Sequence, residues 1–377
     1  MITSTTLSYL LYGTGSVLFV KLAIFVPSLD TGGLSSLAKE LGTAATLHGH
    51  EVMLVTLYSS LMKSPPELRV ENLSISSPRH SLFKPVTALL RTVRAYIKLS
   101  RFRPDFVMCL DPSSAFVCFM SRYLGLKFKL AISCYTPLPL LKNSDRAIIK
   151  YFYNRADCVV APSTGSCTEI KALNNNVQPI VIPNPFTSKS PTCFWPNPKN
   201  PKEKTIQFLG RLSPEKEARH VLKIAKANRD LHFRISGDGP EKSFLEAEIS
   251  TLGLSNVELT GWLEPANCLP NSALLILPSK VESFGIVILE AWLHGLPVLA
   301  WSGASGPKEL ITRHGGGDLI SEFDDLDEWG LKIREHIYSP LKDAFISEIL
   351  NHYSGYRLIQ EWFENGNLAV PKSTLTQ

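Results

Sequence analysis

Short, nearly continuous apolar runs alternate with helix-length segments along most of the chain, which is the pattern of strands that helices bury on both faces. In the first half the predicted strands are 22–26, 52–56, 106–110, 129–133, 158–161 and 180–182. After an interruption the alternation starts again, and the predicted strands are 205–209, 232–236, 257–260, 274–277 and 297–300. The pattern therefore predicts an α/β fold with two parallel sheets.

The interruption is a proline-rich stretch, 183–204, whose six prolines suit neither a core strand nor a helix. We expect an N-terminal domain at 20–185, a linker at 186–204, a C-terminal domain at 205–350, and a helix and tail at 351–377 that return to the first domain. Two Rossmann-like domains in this order face each other across a cleft, because ligands of such sheets bind at the carboxyl ends of the strands.

The first 19 residues add no recognisable element. The apolar stretch 7–29 is broken by Lys21, and the part before Val20 is short for a helix that spans a bilayer. We therefore treat 1–19 as an extension, and translation from Val20 is one hypothesis for its origin. A secretory signal is the alternative, although no basic region precedes the apolar run.

Charge is unevenly distributed along the chain. Residues 1–185 contain 19 Lys and Arg against 10 Asp and Glu, whereas the remainder contains 20 against 24. A basic half attracts nucleic acid, anionic lipid or a phosphorylated substrate, and composition alone does not choose among them. The seven cysteines form no Cys-x-x-Cys pair and have no nearby metal-ligand histidines, which indicates a reduced, cytoplasmic compartment.

Residues 85–101 have the periodicity of an amphipathic helix. We expect five apolar side chains on one face to pack into the core: Val86, Leu89, Leu90, Val93 and Ile97. The opposite face is basic, with Arg91, Arg94, Lys98 and Arg101. Two interpretations of the basic face stay open, a solvated surface and peripheral contact with anionic membrane lipid.

A loop with two cations follows the first strand of the C-terminal domain and reads Gly210-Arg211-Leu212-Ser213-Pro214-Glu215-Lys216. The guanidinium of Arg211 can hold phosphate oxygens in a fixed fork, and the ammonium of Lys216 adds a mobile point charge. The pair therefore suits a diphosphate, and solvated surface charge is the alternative interpretation.

A second motif joins a strand end to a helix start and reads Glu282-Ser283-Phe284-Gly285-Ile286-Val287-Ile288-Leu289-Glu290-Ala291. Backbone N–H groups at 283–285 then face the cleft, where the helix dipole favours a phosphate. The spacing of Glu282 and Glu290 is little more than two helical turns, which predicts that both carboxylates reach one elongated ligand. A helix-terminal acid and a backbone-bonded Glu are the plainer interpretation.

With these two motifs the sequence resembles the group 1 (family 4) glycosyltransferases, retaining enzymes of the GT-B fold whose signature is two Glu separated by seven residues. Further motifs occur in the order of that family along 20–363. They are Gly32-Gly33, His48-Gly49-His50-Glu51-Val52, Pro183-Asn184, Gly210-Arg211, Glu215-Lys216, Gly237-Asp238-Gly239-Pro240, Gly261 and Gly306-Pro307-Lys308-Glu309. The resemblance implies a nucleotide-sugar-dependent hexosyltransferase.

The resemblance also implies roles for individual residues. Arg211 and Lys216 would bind the donor diphosphate, and with Glu282 they form the catalytic set. Glu290 would bind the ribose hydroxyls, and Glu282 the transferred sugar.

The remaining donor-site residues are implied in the same way. They are Gly32, Gly33, Gly210, Gly237, Leu263, Ser283, Phe284, Gly285 and Ile286. Gly32-Gly33 joins the first strand to a helix, where glycine permits close approach of a phosphate or acceptor, and a simple tight turn is the alternative interpretation. Phe284 and Gly285 would contribute their backbone, and Leu263 would line the base pocket. Tyr135 stands on the sugar side at a position where many relatives have His, which leaves the chemistry on that side less defined.

Two clusters suggest a metal site and are interpreted otherwise. His48-Gly49-His50 lacks further ligands and ends a helix before a strand, so a structural role is favoured. Asp325-Leu326-Asp327 resembles a metal-binding carboxylate pair, yet it opens an amphipathic helix, where acids suit the dipole. We expect no metal and no other cofactor, because the loop cations can neutralise the leaving group.

We expect transfer of a hexose or N-acetylhexosamine from a nucleotide sugar, with UDP as the first choice and GDP or ADP as alternatives. The implied acceptor is a glycan or lipid-linked sugar in the synthesis of cell-surface polysaccharide or glycolipid, at the inner face of the membrane. Nucleic acid is not an expected partner. A sugar-nucleotide epimerase and a non-catalytic nucleotide-sugar or lipid-binding protein are the alternatives.

Overall fold

A computed structural model describes residues 19–30, 33–58, 68–74, 84–186 and 205–366 of the chain. The expectations for Gly32, for 1–18 and for the linker from residue 187 lie outside these ranges. Seven parallel strands form the N-terminal sheet: β1 (Lys21–Val26), β2 (Glu51–Thr56), β3 (Arg69–Asn72), β4 (Phe106–Cys109), β5 (Lys129–Ser133), β6 (Cys158–Ala161) and β7 (Ile180–Val181). Their order across the sheet is β3-β2-β1-β4-β5-β6-β7, so the strand order reverses between β1 and β4.

The C-terminal sheet repeats this arrangement. Its parallel strands are β8 (Thr205–Leu209), β9 (His232–Ser236), β10 (Val257–Gly261), β11 (Leu274–Leu277), β12 (Val298–Trp301) and β13 (Gly317–Ile320). They lie in the order β10-β9-β8-β11-β12-β13, with the reversal between β8 and β11. The predicted α/β fold with two parallel sheets is confirmed, and the predicted strands lie within a residue or two of these bounds. β3 and β13 were not predicted.

Helices cover both faces of each sheet. Those of the N-terminal domain are α1 (Gly33–Leu47), α2 (Lys84–Phe102), α3 (Pro112–Tyr123), α4 (Asn143–Phe152) and α5 (Thr164–Leu173). Those that follow are α6 (Ala218–Ala227), α7 (Lys242–Leu252), α8 (Pro265–Cys268), α9 (Ile286–Leu293), α10 (Ser305–His314), α11 (Leu326–His336), α12 (Asp343–His352) and α13 (Gly355–Asn365). Strand side chains alternate between the two layers, so in β1 Phe25 joins one apolar cluster and Ile24 the other.

The last helix, α13, packs against α1 of the N-terminal domain, and two histidines take part in that contact. The His48 ring stacks on Tyr356 with 3.8 Å between ring centroids, and His50 meets Phe363 edge-on at 5.2 Å. Burial lowers the pKa of both histidines, which favours their neutral forms. The structural role predicted for this pair agrees with these contacts.

The start of α11 confirms the interpretation of the acidic pair at 325–327. Asp325 precedes the helix, and its Oδ1 accepts hydrogen bonds from the backbone N–H groups of Asp327 at 3.0 Å and Glu328 at 2.9 Å. This is the geometry of an N-cap, in which a carboxylate satisfies donors that the first turn leaves unpaired.

The prediction for α2 is wrong about which face is buried. The side chains that pack inward are Thr87, Thr92, Ala95, Leu99 and Phe102. The five side chains predicted to enter the core, Val86, Leu89, Leu90, Val93 and Ile97, are exposed. The helix therefore buries two threonines and an alanine with Leu99 and Phe102, and turns five aliphatic side chains outward.

In the described part of the chain, no helix is both long enough and apolar enough to cross a membrane. The six cysteines found there are free thiols. Burial raises the pKa of Cys134 and Cys158 to about 12, so both stay protonated at neutral pH. These cysteines pack as small apolar side chains.

Candidate active site

The loops that follow β8 and β11 meet at one point on the carboxyl edge of the C-terminal sheet. The two strands are neighbours, with Leu274 opposite Ile206. The loop after β8 carries Arg211 and Lys216, and the loop after β11 carries Glu282. A reversal of strand order is where open α/β sheets bind ligands. The fold thus brings both predicted motifs to the position expected for a ligand site.

The two loops are joined by an ion pair between predicted catalytic residues. Lys216 Nζ pairs with Glu282 Oε2, and the exposed fractions of the two side chains are only 24% and 16%. A backbone hydrogen bond of 3.0 Å from Lys280 N–H to the carbonyl of Glu215 also links the loops. An anionic ligand that contacts Lys216 must therefore compete with a carboxylate.

The second cation, Arg211, also pairs with a carboxylate. Its Nη2 lies 2.6 Å from Glu215 Oε1, and the Ser213 hydroxyl donates to the same oxygen at 2.6 Å. Burial pushes the pKa of Glu215 up, but the Ser213 hydroxyl and the Arg211 guanidinium outweigh it and hold the pKa below its ordinary value. The Arg211 side chain is 66% exposed. The sequence motif includes Glu215, yet we assigned it no role.

Glycines after β9 support the loop that carries the cations. A Cβ on Gly237 would lie 1.9 Å from the carbonyl oxygen of Gly210, and one on Gly239 would lie 2.3 Å from that of Leu212. Larger residues would force the loop away from the sheet. The structure therefore gives Gly237 a packing role beneath Gly210, and direct donor contact by either glycine stays a prediction.

The loop after β11 ends at Gly285, whose φ of +91° is easily adopted only by glycine. Helix α9 begins at Ile286, and the Ile288 N–H donates to the carbonyl of Gly285 at 2.9 Å. The N–H groups of Ile286 and Val287 remain as first-turn donors with no partner within the helix. Glu282 lies ahead of the helix, so the argument that placed it two helical turns from Glu290 is wrong. Gly306 of α10 supports the loop, since its N–H donates to the carbonyl of Glu282 at 3.1 Å.

The other residues of this loop differ in what they offer. Ser283 is buried, and its hydroxyl has no hydrogen-bond partner among the described residues. Phe284 is buried with its ring edge-on to Tyr353 at 6.0 Å, and donor contact through its backbone stays a prediction. Ile286 is half-buried at the start of α9.

Glu290 lies one helical turn into α9 as a carboxylate with no hydrogen bond to any described residue. Burial, and then the neighbouring carboxylate of Glu264, raise its pKa to about 7. A desolvated acid of this kind is stabilised by hydroxyl donors, which a ribose would supply. Leu263 lies in the loop after β10 and packs half-buried against the same apolar cluster as α9. Glu264 was not predicted, because an exposed acid in a loop gives no pattern.

The N-terminal domain contributes two predicted residues that the structure describes. Gly33 is the exposed first residue of α1, and a Cβ there would meet no atom within 4 Å. Neither packing nor a positive φ demands glycine at this position, and donor contact by Gly33 stays a prediction. The Tyr135 ring packs against the core on the α1 side of the sheet, and its hydroxyl is shielded from solvent.

Among the described residues, one acidic cluster has the spacing of a metal site: Asp318, Glu335 and His336. The Lys332 ammonium already lies 2.9 Å from an oxygen of Asp318 and 2.9 Å from one of Glu335. Asp318 stands near the start of β13 and His336 at the end of α11, at the opposite edge of the sheet from Glu282. A lysine thus already pairs with both carboxylates of the cluster, which lies away from this site.

Comparison with known proteins agrees with the fold and the motifs. A family model for Glycosyltransferase Family 4 matches residues 31–188, and one for Glycosyl transferases group 1 matches residues 190–348. The two matches together span most of the chain and meet at the linker between the domains. The chain therefore belongs to the group 1 glycosyltransferases.

Curated relatives and solved structures extend the comparison. The amylovoran biosynthesis glycosyltransferase AmsD of Erwinia amylovora is 26% identical over 78% of this chain and 84% of its own. The 2-deoxystreptamine N-acetyl-D-glucosaminyltransferase of Niallia circulans is 29% identical over 42% of each chain, so the match spans less than two thirds of that relative. Anabaena HepE, crystallised with UDP and glucose, has a TM-score of 0.70 at 18% identity, over 92% of this chain and 98% of its own. Such neighbours show the GT-B arrangement of two Rossmann-like domains.

Proposed function

We propose that the chain transfers a hexose or N-acetylhexosamine from a nucleotide sugar to a glycan or lipid-linked sugar, with retention of anomeric configuration. The observation that carries the proposal is the Lys216–Glu282 ion pair beside the first turn of α9. A donor diphosphate that replaces the carboxylate on Lys216 also meets the unpaired N–H groups of that turn. The released Glu282 then faces the hydroxyls of the sugar.

The reaction exchanges one bond at the anomeric carbon for another. The bond to the diphosphate oxygen breaks while the acceptor hydroxyl attacks from the same face, and the hydroxyl proton passes to the departing phosphate. Arg211, Lys216 and the start of α9 stabilise the negative charge on that phosphate. Glu290 accepts hydrogen bonds from the ribose, and Leu263 and Tyr135 keep their proposed places beside the base and the sugar. These groups supply the charge stabilisation without a metal ion.

We further propose UDP as the nucleotide, with GDP and ADP as alternatives. HepE was crystallised with UDP and glucose, and AmsD is named for the synthesis of amylovoran. The first supports a nucleotide-sugar donor, and the second supports a polysaccharide or glycolipid product. The acceptor would then be met in the cytoplasm, at the inner face of the membrane.

Thermal unfolding of the full chain with each nucleotide tests the donor site. We expect UDP or a UDP-sugar to raise the melting temperature, and EDTA to leave that shift unchanged. The shift should be lost in Glu290→Ala and Arg211→Ala and kept in Glu335→Ala, which changes an acid at the opposite edge of the sheet. If no nucleotide raised the melting temperature, or if the shift were the same in all variants, the proposed donor site would be wrong.

The two alternatives give different products. An epimerase converts the nucleotide sugar with no acceptor, whereas a non-catalytic binding protein leaves it intact in every mixture. Incubation of the chain with labelled UDP-sugars, with and without glycan and lipid fractions, separates them. We expect label to enter an acceptor fraction only when both substrates are present.

A further inference from the structure

The outward face of α2 is apolar, which is the reverse of an ordinary surface helix. The exposed fractions of five aliphatic side chains range from 42% to 64%: Val86, Leu89, Leu90, Val93 and Ile97. Their spacing places them on one side of the helix in a stripe about 16 Å long. We call this group the α2 stripe. Contiguous apolar patches of this kind on a folded domain mark a surface that another body covers.

The same helix is strongly basic. It contains Lys84, Arg91, Arg94, Lys98 and Arg101 and no acidic residue. Arg94 and Arg101 are exposed and lie along one flank of the α2 stripe, some 60° to 80° around the helix from its centre by the helical repeat. Lys98 pairs with Glu71, and the Arg91 guanidinium lies over the Tyr58 ring at 4.6 Å. Apolar and cationic groups therefore point outward together.

The apolar stripe and the cations beside it distinguish between two partners that could cover the stripe, a second copy of the chain and a lipid surface. A second copy of the chain would bring the exposed Arg94 and Arg101 of two helices close together, and their repulsion opposes a dimer. A lipid surface offers acyl chains and anionic headgroups in one plane, and both parts of the helix then find a partner. The excess of Lys and Arg over residues 1–185 adds attraction at longer range.

The position of α2 relates the stripe to the cleft. The helix connects β3 to β4, so it runs antiparallel to the strands, and its first turn lies at their carboxyl edge. Val86, Leu89 and Leu90 are therefore near the edge that faces the cleft, and Ile97 is farther from it. A surface that covers the stripe therefore lies next to the opening of the cleft on the side of the N-terminal domain, where the acceptor is proposed to bind.

We propose that α2 docks the N-terminal domain on an anionic lipid bilayer. The α2 stripe enters the boundary between headgroups and acyl chains, and Arg94 and Arg101 meet the headgroup anions. This inference extends the proposed function, because it specifies how a lipid-linked acceptor reaches the cleft. Binding to lipid does not require catalysis, so the two proposals can fail separately.

Flotation of the full chain with vesicles tests the docking directly. The vesicles are phosphatidylcholine alone or phosphatidylcholine mixed with phosphatidylglycerol. We expect binding to the mixed vesicles to fall about ten-fold or more in Leu89→Asp/Val93→Asp, since charged side chains oppose insertion. The matched control is Leu331→Asp/Leu350→Asp on α11 and α12, which adds the same charges at exposed leucines of the other domain. It should bind like the wild type.

Further measurements separate the contribution of the cations from that of the apolar stripe, and a lipid surface from a second copy of the chain. Arg94→Ala/Arg101→Ala should bind weakly and lose its preference for phosphatidylglycerol, while transfer to a soluble acceptor stays unchanged in all three double variants. Equal vesicle binding by the wild type and Leu89→Asp/Val93→Asp would overturn the proposal. So would a dimer in light scattering that only this variant dissociates, because a second copy would then cover the stripe.

Discussion

The backbone N–H and the hydroxyl of Thr164 both donate to one carboxylate oxygen of Glu309, at 2.7 and 2.6 Å. Thr164 opens α5 in the N-terminal domain, and Glu309 lies on α10 in the C-terminal domain. The junction is tight, since a Cβ on Gly165 would lie 2.5 Å from that of Ser305. The start of α10 also supports the carbonyl of Glu282. One short helix therefore contacts both the other domain and the loop of the proposed active site.

Glu309→Ala should impair transfer more than donor binding. The substitution removes the contact between the domains and leaves Lys216 and Glu290 in place. It should therefore disturb the alignment of acceptor with donor rather than the binding of the donor. We expect the rate of transfer to fall about ten-fold, as misalignment near 1 Å can cost that much or more. Titration with UDP-glucose and kinetics of transfer provide the comparison. Glu322→Ala, an exposed acid of the same domain, is the control, and proportional losses in affinity and rate would contradict this role.

Glu282→Gln should separate nucleotide binding from transfer. Loss of the carboxylate charge frees Lys216 for phosphate, so UDP should bind at least as tightly as it does to the wild type. Transfer should fall roughly 100-fold, the scale for removal of one stabilising group in an active site. Lys216→Met is the matched variant and should weaken UDP binding, which calorimetry measures for both. Equal weakening in the two variants would show that Glu282 itself holds the nucleotide.

Donor affinity should depend on pH through Glu290, whose pKa is raised to about 7. Ribose hydroxyls bind the ionised carboxylate best, so affinity for UDP-glucose should increase as pH rises through 7. UDP-glucose is the ligand of choice, because the terminal phosphate of UDP titrates near pH 6 by itself. Glu290→Gln should give a flat profile across this range. Glu264→Gln should shift the midpoint to lower pH, and an unchanged wild-type profile in Glu290→Gln would assign the effect elsewhere.

The same group gives a prediction for stability without ligand. The folded state holds the Glu290 proton more tightly than the unfolded state, where the pKa is 4.5. Between these two values the folded state binds more protons, so the Glu290 contribution to the free energy of unfolding falls as pH rises from 4.5 to 7. Urea unfolding at several pH values should show a smaller decline in Glu290→Gln. A decline as steep as that of the wild type would refute the linkage.

Glu217 occupies a left-handed backbone conformation, with φ of 54° between the turn Pro214–Lys216 and α6. Its carboxylate lies 2.6 Å from Lys280 Nζ. Glu217→Gly and Glu217→Ala lose this ion pair equally, so their difference isolates the backbone. We expect the Gly variant to be more stable by about 1 kcal/mol in urea unfolding, because only glycine adopts this conformation without steric cost.

The opposite order is expected at Glu246, which lies on α7 and serves as the control. Alanine should be more stable than glycine there by roughly 1 kcal/mol, the usual difference within a helix. The same order at both positions would contradict the strained backbone at Glu217.

Hydrophobic patterning predicted the fold because buried parallel strands are continuous apolar runs. The two strands it missed lack that signal: β3 alternates charged residues in Arg69–Asn72, and β13 contains Gly317 and Asp318. The pattern also gave the wrong face of α2, since periodicity identifies a stripe of aliphatic residues but not which body covers it. The prediction assumed that the protein's own core covers this stripe.

The active-site contacts depended on more than spacing. Lys216 and Glu282 are 66 residues apart, and only the adjacency of β8 and β11 brings them together. The family resemblance predicted both residues as parts of one site. It did not predict that they pair with each other, or that Glu215 pairs with Arg211, because those contacts depend on side-chain geometry.

A crystal structure of the chain with UDP tests the central claim most directly. The account predicts a diphosphate at the carboxyl edge between β8 and β11, with its oxygens on Lys216 and on the N–H groups at the start of α9. It also predicts that Lys216 leaves Glu282 and that Glu290 accepts hydrogen bonds from the ribose. A nucleotide bound at the β1–β4 reversal of the other domain, or one that leaves the Lys216–Glu282 ion pair intact, would contradict it.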